Sequence, residues 1–168
     1  MLDLIERYIS PDFNYVMENG PRVIRNRKDA LLQGLNCVAL MHLAIDDLFG
    51  VKLPPALDCY ELFLDDKYTE RVRIGEIAHG DLVWFGPTET SHTIKEFSPN
   101  YGACGIELLN WGDHPVNHVG ICVGTEETGP QILHASQNEQ TNAVWALSEF
   151  ANHERYVHLY GVDRIIAT

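Results

Sequence analysis

Between positions 37 and 49 the apolar residues fall at 37, 40, 41, 44, 45 and 48. That is the i, i+3, i+4, i+7, i+8, i+11 spacing of a single buried helical stripe. It predicts a helix from Cys37 to Phe49. Gly50 stands at the C-cap position, and Pro54-Pro55 forbids continuation. Gly34 breaks any helix arriving from Asp29–Gln33, so Cys37 falls in the first turn of the predicted helix. Asp46-Asp47, like Asp65-Asp66, read as solvated helix faces. A weaker helical pattern runs through Leu57–Leu64. The first 30 residues are mixed, with a turn at Gly20-Pro21 and a basic stretch, Arg22 to Lys28, read as a solvated loop.

After residue 80 the period shortens. Asp81–Phe85, His118–Val123, Gln131–His134, Ala143–Ala146 and Val157–Ile166 read as short strands bounded by Gly, Pro and Asn. Pro87 to Asn117 is a long Gly/Pro/Asn/Ser-bearing connection of the kind that often serves function. Helices first and strands afterwards predict an α+β fold, and 168 residues fit one domain spanning 1–168.

Composition narrows the function classes. The chain is 45% hydrophobic and 21% charged, which is globular. Twelve Lys and Arg against 24 Asp and Glu give a net charge of −12, a poor match to nucleic-acid phosphates or an anionic membrane, and neither partner is expected. No apolar run approaches membrane-spanning length. The start, MLDLIERYIS, lacks the features of a secretory signal, so a cytoplasmic location is expected. Export without a cleaved signal, a phage-borne origin or a leader removed beforehand are the alternatives. The cysteines at 37, 59, 104 and 122 form no C-x-x-C pair and read as free thiols. His92, Cys104, His114 and His118 are spaced 12, 10 and 4 apart, matching no compact zinc template, and no metal or other cofactor is expected.

Cys37, His118 and His134 carry the candidate chemistry. A helix N-terminus and a neighbouring imidazole both favour the reactive thiolate. Strands 118–123 and 131–135 flank the polar loop GTEETGP, which suggests a hairpin. With its centre near Glu127, residue 118 lies opposite 136 and 120 opposite 134. The two histidines are then diagonal neighbours on one face, with Cβ atoms about 7–8 Å apart or less. One imidazole then orients the other. A one-residue slip would put the rings on opposite faces. The bland alternatives are a buried small hydrophobe for Cys37 and hydrogen-bonded or surface histidines at the strands. Trp84, Trp111 and Trp145 read as core or cleft-wall residues, with Trp84 the candidate for substrate contact.

The strings GLNCVALM, GVKLPP, HGDLVWFG, NHVGICVG, ILHAS and YGVDRI occur in the order of the landmarks of NlpC-type cysteine peptidases, the papain-like enzymes of bacterial cell-wall turnover. The chain resembles that family over about residues 30–166. The resemblance implies a papain-like fold with the nucleophile at a helix start packed on an antiparallel sheet. It makes Cys37 the nucleophile, His118 the general base and later acid, and His134 the third polar residue. It also implies that the Cys37 backbone N–H helps form the oxyanion hole. Tyr15, in NYVMENG, corresponds to a tyrosine lining the family's active site. The implied partner is a peptide substrate, a cell-wall peptide fragment cut between γ-D-glutamyl and a diamino acid.

The chain departs from the family around the nucleophile. Asp-Cys-Ser-Gly is usual there, and Asn36-Cys37-Val38-Ala39 stands here. In some members that Asp and Ser hold a free peptide amine. Asn36 and Val38, the corresponding substrate-binding candidates, remove a charge and a hydroxyl. Two alternatives therefore stand beside the peptidase: the same catalytic set acting on another acyl group (amidase, deamidase, thioesterase or acyltransferase), or a non-catalytic binding relative.

Overall fold

The structure, a computed structural model, describes residues 3–17, 24–53, 59–64, 67–87 and 116–166. The Gly20-Pro21 turn, Pro54-Pro55, Asp65-Asp66, His92, Cys104, Trp111, His114 and nearly all of the Pro87–Asn117 connection lie outside the described residues.

The helix predicted from periodicity is α3, Cys37–Phe49, with Asn36 as N-cap and Gly50 as a left-handed C-cap. The Asn36 side chain accepts the backbone N–H of Ala39 at 2.9 Å, satisfying one of the donors a helix start leaves open. Before it come α1, Leu4–Tyr8, and α2, Arg27–Gln33, and after it α4, Cys59–Leu64. Arg27 and Lys28 therefore open a helix rather than sit in a solvated loop. The Asn26 side chain caps α2 through the Asp29 N–H at 3.0 Å. The helix ends at Gly34, whose φ of 78° favours glycine. A Cβ there would also stand 2.2 Å from a Val16 methyl and 2.9 Å from the Asn14 carbonyl. This close approach lets 14–16 run alongside Leu35: Leu35 N–H donates to Asn14 O and Val16 N–H to Leu35 O.

Six strands follow: β1 Thr69–Val72, β2 Leu82–Gly86, β3 His118–Glu126, β4 Gly129–Ser136, β5 Thr141–Ala146 and β6 His158–Ile165. They form one antiparallel sheet in the order β1-β6-β2-β3-β4-β5. A short helix α5, Leu147–Phe150, joins β5 to the loop before β6. The α+β expectation holds. No helix among the described residues is long and apolar enough to cross a membrane.

The sheet is buried on both faces. On one, Leu82, Trp84, Val119, Ile121, Leu133 and Ala135 form the main core with α1, α3 and α4. On the other, Val83, Phe85, Cys122 and Ile132 meet Phe150 and Tyr156. Asp47 is not a solvated face residue: it accepts the Tyr8 hydroxyl at 2.5 Å and pairs with Arg7, tying α1 to α3. Asp81 is buried and receives a bidentate hydrogen bond from Arg164, both arms at 2.8 Å, which fastens the start of β2 to β6.

The β3–β4 hairpin turns on Glu127-Thr128, so near the turn Glu126 faces Gly129 and Gly124 faces Gln131. Continued unbroken, that register would put His118 and His134 on opposite faces. A bulge at Val123 removes the offset: Cys122 faces Ile132 and Ile121 faces Leu133, the register expected from a hairpin centred at Glu127. Both histidines then lie on the face of Cys122 and Ile132. Gly120 sits between them. A Cβ there would lie 2.4 Å from an Ile132 methyl, 3.0 Å from the Leu133 carbonyl and 3.4 Å from the His134 Cβ. Gly120→Ala is therefore expected to overpack the site and cost about 1–3 kcal/mol in chemical denaturation. An unchanged denaturation midpoint would contradict this packing.

Candidate active site

Cys37 opens α3, and α3 lies across β3 and β4. Cys59, the His118 ring and the Val119 backbone N–H all favour the Cys37 thiolate. Together these hold the Cys37 thiol well below its ordinary pKa. Cys59 contributes most, then the bond and charge of His118, then the Val119 N–H, against burial acting the other way. The helix N-terminus favours the thiolate in the same sense.

His118 and His134 come together as the hairpin register requires. His118 Nε2 lies 3.0 Å from His134 Nδ1, and both side chains are buried. Burial, followed by the charges of His118 and His153, holds His134 well below the usual imidazole pKa, so it stays neutral. When His118 is an imidazolium paired with the Cys37 thiolate, its Nε2–H donates and the neutral His134 Nδ1 accepts. The remaining His134 proton then sits on Nε2, which has no hydrogen-bond partner among the described residues.

Aromatic rings enclose the pair. Tyr156 stacks on His118 with centroids 4.0 Å apart. Trp145 and Phe150 stand 4.5 and 4.9 Å from His134. This cage excludes water from the pair and fixes both rings. His153 stacks on the far side of Tyr156 at 4.3 Å. Beyond it an open polar cleft of about 570 Å³ is lined by Gln137, Asn138, Gln140, Asn152, His153, Glu154 and Arg155.

Tyr15 enters from the other side. The 14–16 segment is held on Leu35, two residues before Cys37, and its Tyr15 N–H donates to Gln140 O at 2.9 Å. Gln140 carries a positive φ of 58°, uncommon outside glycine, in the turn that presents this carbonyl. Burial and the nearby Cys37 push the Tyr15 phenol up to about 12, with Arg155 opposing. Tyr15 thus lies close enough to Cys37 to feel its charge.

Three expected contacts fall elsewhere. Trp84 is wholly buried in the main core, edge-on to Phe63 at 5.4 Å, and so cannot wall a cleft. Val38 is buried in that core through the first turn of α3. The Asn36 side-chain oxygen is occupied as the helix cap. Sequence reasoning missed Cys59, Tyr156 and Phe150, and read Trp145 only as a core or cleft-wall residue. Each reaches the site through distant chain segments, and no local spacing announces them. The nearest signal was the loose tally of cysteines, which placed Cys59 at the edge of a weak helix.

Comparison with protein-family models gave no match, and a search of curated proteins gave none that is significant.

Burial also pushes the His42 imidazole down to about 4, on the helix that carries Cys37. For a depressed imidazole the stability contribution is complete above the unfolded value, about 6.5, and is lost as pH falls below it. Between pH 7.5 and 5.5 the depressed His42, His134 and His153 imidazoles and the depressed Cys37 thiol all act in this sense. The denaturation midpoint is expected to drop across that interval; a flat midpoint would contradict these shifts.

Proposed function

We propose that the protein is a cysteine hydrolase of papain-like, NlpC-type design that cleaves amide bonds in cell-wall-type peptides. The observation that carries the reading is the buried His118–His134 pair, its two imidazole nitrogens 3.0 Å apart, together with a Cys37 thiol that His118 helps to hold below its ordinary pKa. A low thiol pKa beside an imidazole, with the imidazole oriented by a third group, is the constellation nucleophilic acyl transfer needs.

The steps follow from the geometry. The Cys37 thiolate adds to the scissile carbonyl. The developing oxyanion meets the Cys37 backbone N–H, which as a first-turn donor has no intrahelical acceptor. His118 gives its proton to the leaving amine, then takes one from water as the water releases the acyl group from sulfur. His134 accepts from His118 throughout and steadies the charged ring.

One observation favours a second reading. Asn36 caps the helix and Val38 is buried, so neither is placed to hold a free amine. The same machinery could therefore act on an acyl group without an adjacent ammonium, through amidase, deamidase, thioesterase or acyltransferase chemistry.

The test is a mass-spectrometric digest of mixed muropeptides and free wall tri- and tetrapeptides, with Cys37→Ala as control. Cys37-dependent fragments are expected. The rate should fall by about 10³-fold or more in Cys37→Ala, a loss comparable to removing the nucleophile of a catalytic triad. Capping the peptide amine should leave cleavage intact. No Cys37-dependent product from any wall peptide would overturn the wall-peptide assignment.

A further inference from the structure

The segment between α5 and β6 folds back through a series of turns. Asn152 N–H donates to Glu149 O at 3.1 Å, His153 N–H to Phe150 O at 3.0 Å and Tyr156 N–H to His153 O at 3.0 Å. This spacing lays the His153 ring on the Tyr156 ring, with centroids 4.3 Å apart and planes 12° from parallel. The other face of buried Tyr156 lies on His118 at 4.0 Å and 19°. Rings from two distant parts of the chain thus form one column. Its outer end is tied down. His153 Nδ1 accepts the Arg155 N–H at 3.2 Å, and His153 Nε2 lies 2.9 Å from the Asn138 side-chain amide in the β4–β5 turn.

The hydrogen bond to His134 fixes one point of the His118 ring and leaves its plane free to tilt about that point. The Tyr156 face removes this freedom. It also offers a π surface, which attracts a cation within about 6 Å of the ring centre. Phe85 and Phe150 stand farther from His118, at 6.2 and 6.3 Å, and are tilted by 38° and 33°. The titratable groups around His118 are Cys37 on α3, His134 on β4, and Tyr156 and His153 before β6. Burial, then the charge of Cys37 and the Tyr15 phenol against that of Arg155, pushes the Tyr156 phenol up, so it stays neutral. Burial, then His118 and Arg155 against Glu154, pushes His153 down, so it is neutral near pH 7. Replacing Tyr156 therefore changes the surface that His118 meets and not the charges around it.

We propose that Tyr156 is a positioning residue whose face sets the plane of the His118 ring and stabilises its imidazolium form. The proposal rests on His118 carrying the proton in the Cys37 reaction. His134 is neutral and supplies no counter-charge. Cys37 supplies one only while it is a thiolate. Once its sulfur carries the acyl group, the Tyr156 face remains beside the ring that must take a proton from water. Losing Tyr156 has two effects of opposite sign. Water admitted to the cage makes the imidazolium easier to form, whereas loss of the π face makes it harder. The direction of the change therefore separates this role from simple packing.

The test is the pH titration of the His118 ring, followed by NMR on the full-length protein carrying 13C-labelled histidine. His118→Ala assigns the resonance. Tyr156→Leu and Tyr156→Met keep apolar bulk without a ring, and Tyr156→Phe keeps the face without the hydroxyl. The spectra themselves report that each variant is folded. Leu or Met is expected to lower the titration midpoint by about 0.4–1.5 pH units, the size of a cation–π contact, and Phe to restore the wild-type midpoint. A midpoint unchanged or raised by Leu and Met overturns the proposal. An equal fall with Phe also overturns it, since the effect would then belong to the hydroxyl. Cys37→Ala distinguishes failure of the acyl-transfer reading. A His118 titration indifferent to Cys37 would count against that reading, while the Tyr156 comparison made in the Cys37→Ala background would still decide the role of the ring face.

Discussion

The site depends on one meeting: the start of α3 against the start of β3. His118 and the Val119 N–H act on the Cys37 thiol because α3 packs on β3 and β4. Much else holds this crossing. Leu40, Met41, Ala44 and Ile45 anchor the helix in the main core, and the Asn36 cap fixes where its first turn begins. Asp47 holds α1 to its far end. A helix displaced by one turn would move the thiol about 5.4 Å, beyond reach of the ring.

The second constraint is register. The bulge at Val123 brings His118 onto the face of His134, and Gly120 leaves the room between them. Once there, the pair is sealed by Tyr156, Trp145 and Phe150. A dry surround cuts both ways. It strengthens the attraction between thiolate and imidazolium, and it forbids a second buried charge, so His134 must remain the neutral acceptor. Burial also grades the three residues: Cys37 is half-buried, while His118 and His134 are buried.

Much of this was legible in the chain, for physical reasons that can be named. The thirteen residues of α3 show a full helical stripe with Asn36 before and Gly50 after, so its ends were readable to the residue. The two histidines lie within one hairpin, where period-2 alternation and a short polar loop constrain the register, although the actual turn and bulge differ from a simple centred loop. Short elements escaped: α1 has five residues and β1 only four, one of them a hydrophobic Val72. Basic residues misled at Arg27 and Lys28, where the cap Asn26 outweighed them. Asn36, placed beside Cys37, serves the helix, and Trp84 serves the core, because local position does not reveal which way a side chain packs. Cys59 and Tyr156 arrive through tertiary packing alone, and no spacing rule reaches that far.

The central claim is that His118 and its surroundings make Cys37 a thiolate near neutral pH. The most direct measurement is the rate of Cys37 alkylation by iodoacetamide across pH 4 to 10, read at the Cys37 peptide, in the wild type and in His118→Ala. The account predicts a wild-type inflection well below the ordinary thiol value of about 8.5, moving upward toward that value when the imidazole is removed. Superimposable profiles, or a wild-type inflection at the ordinary value, would contradict it.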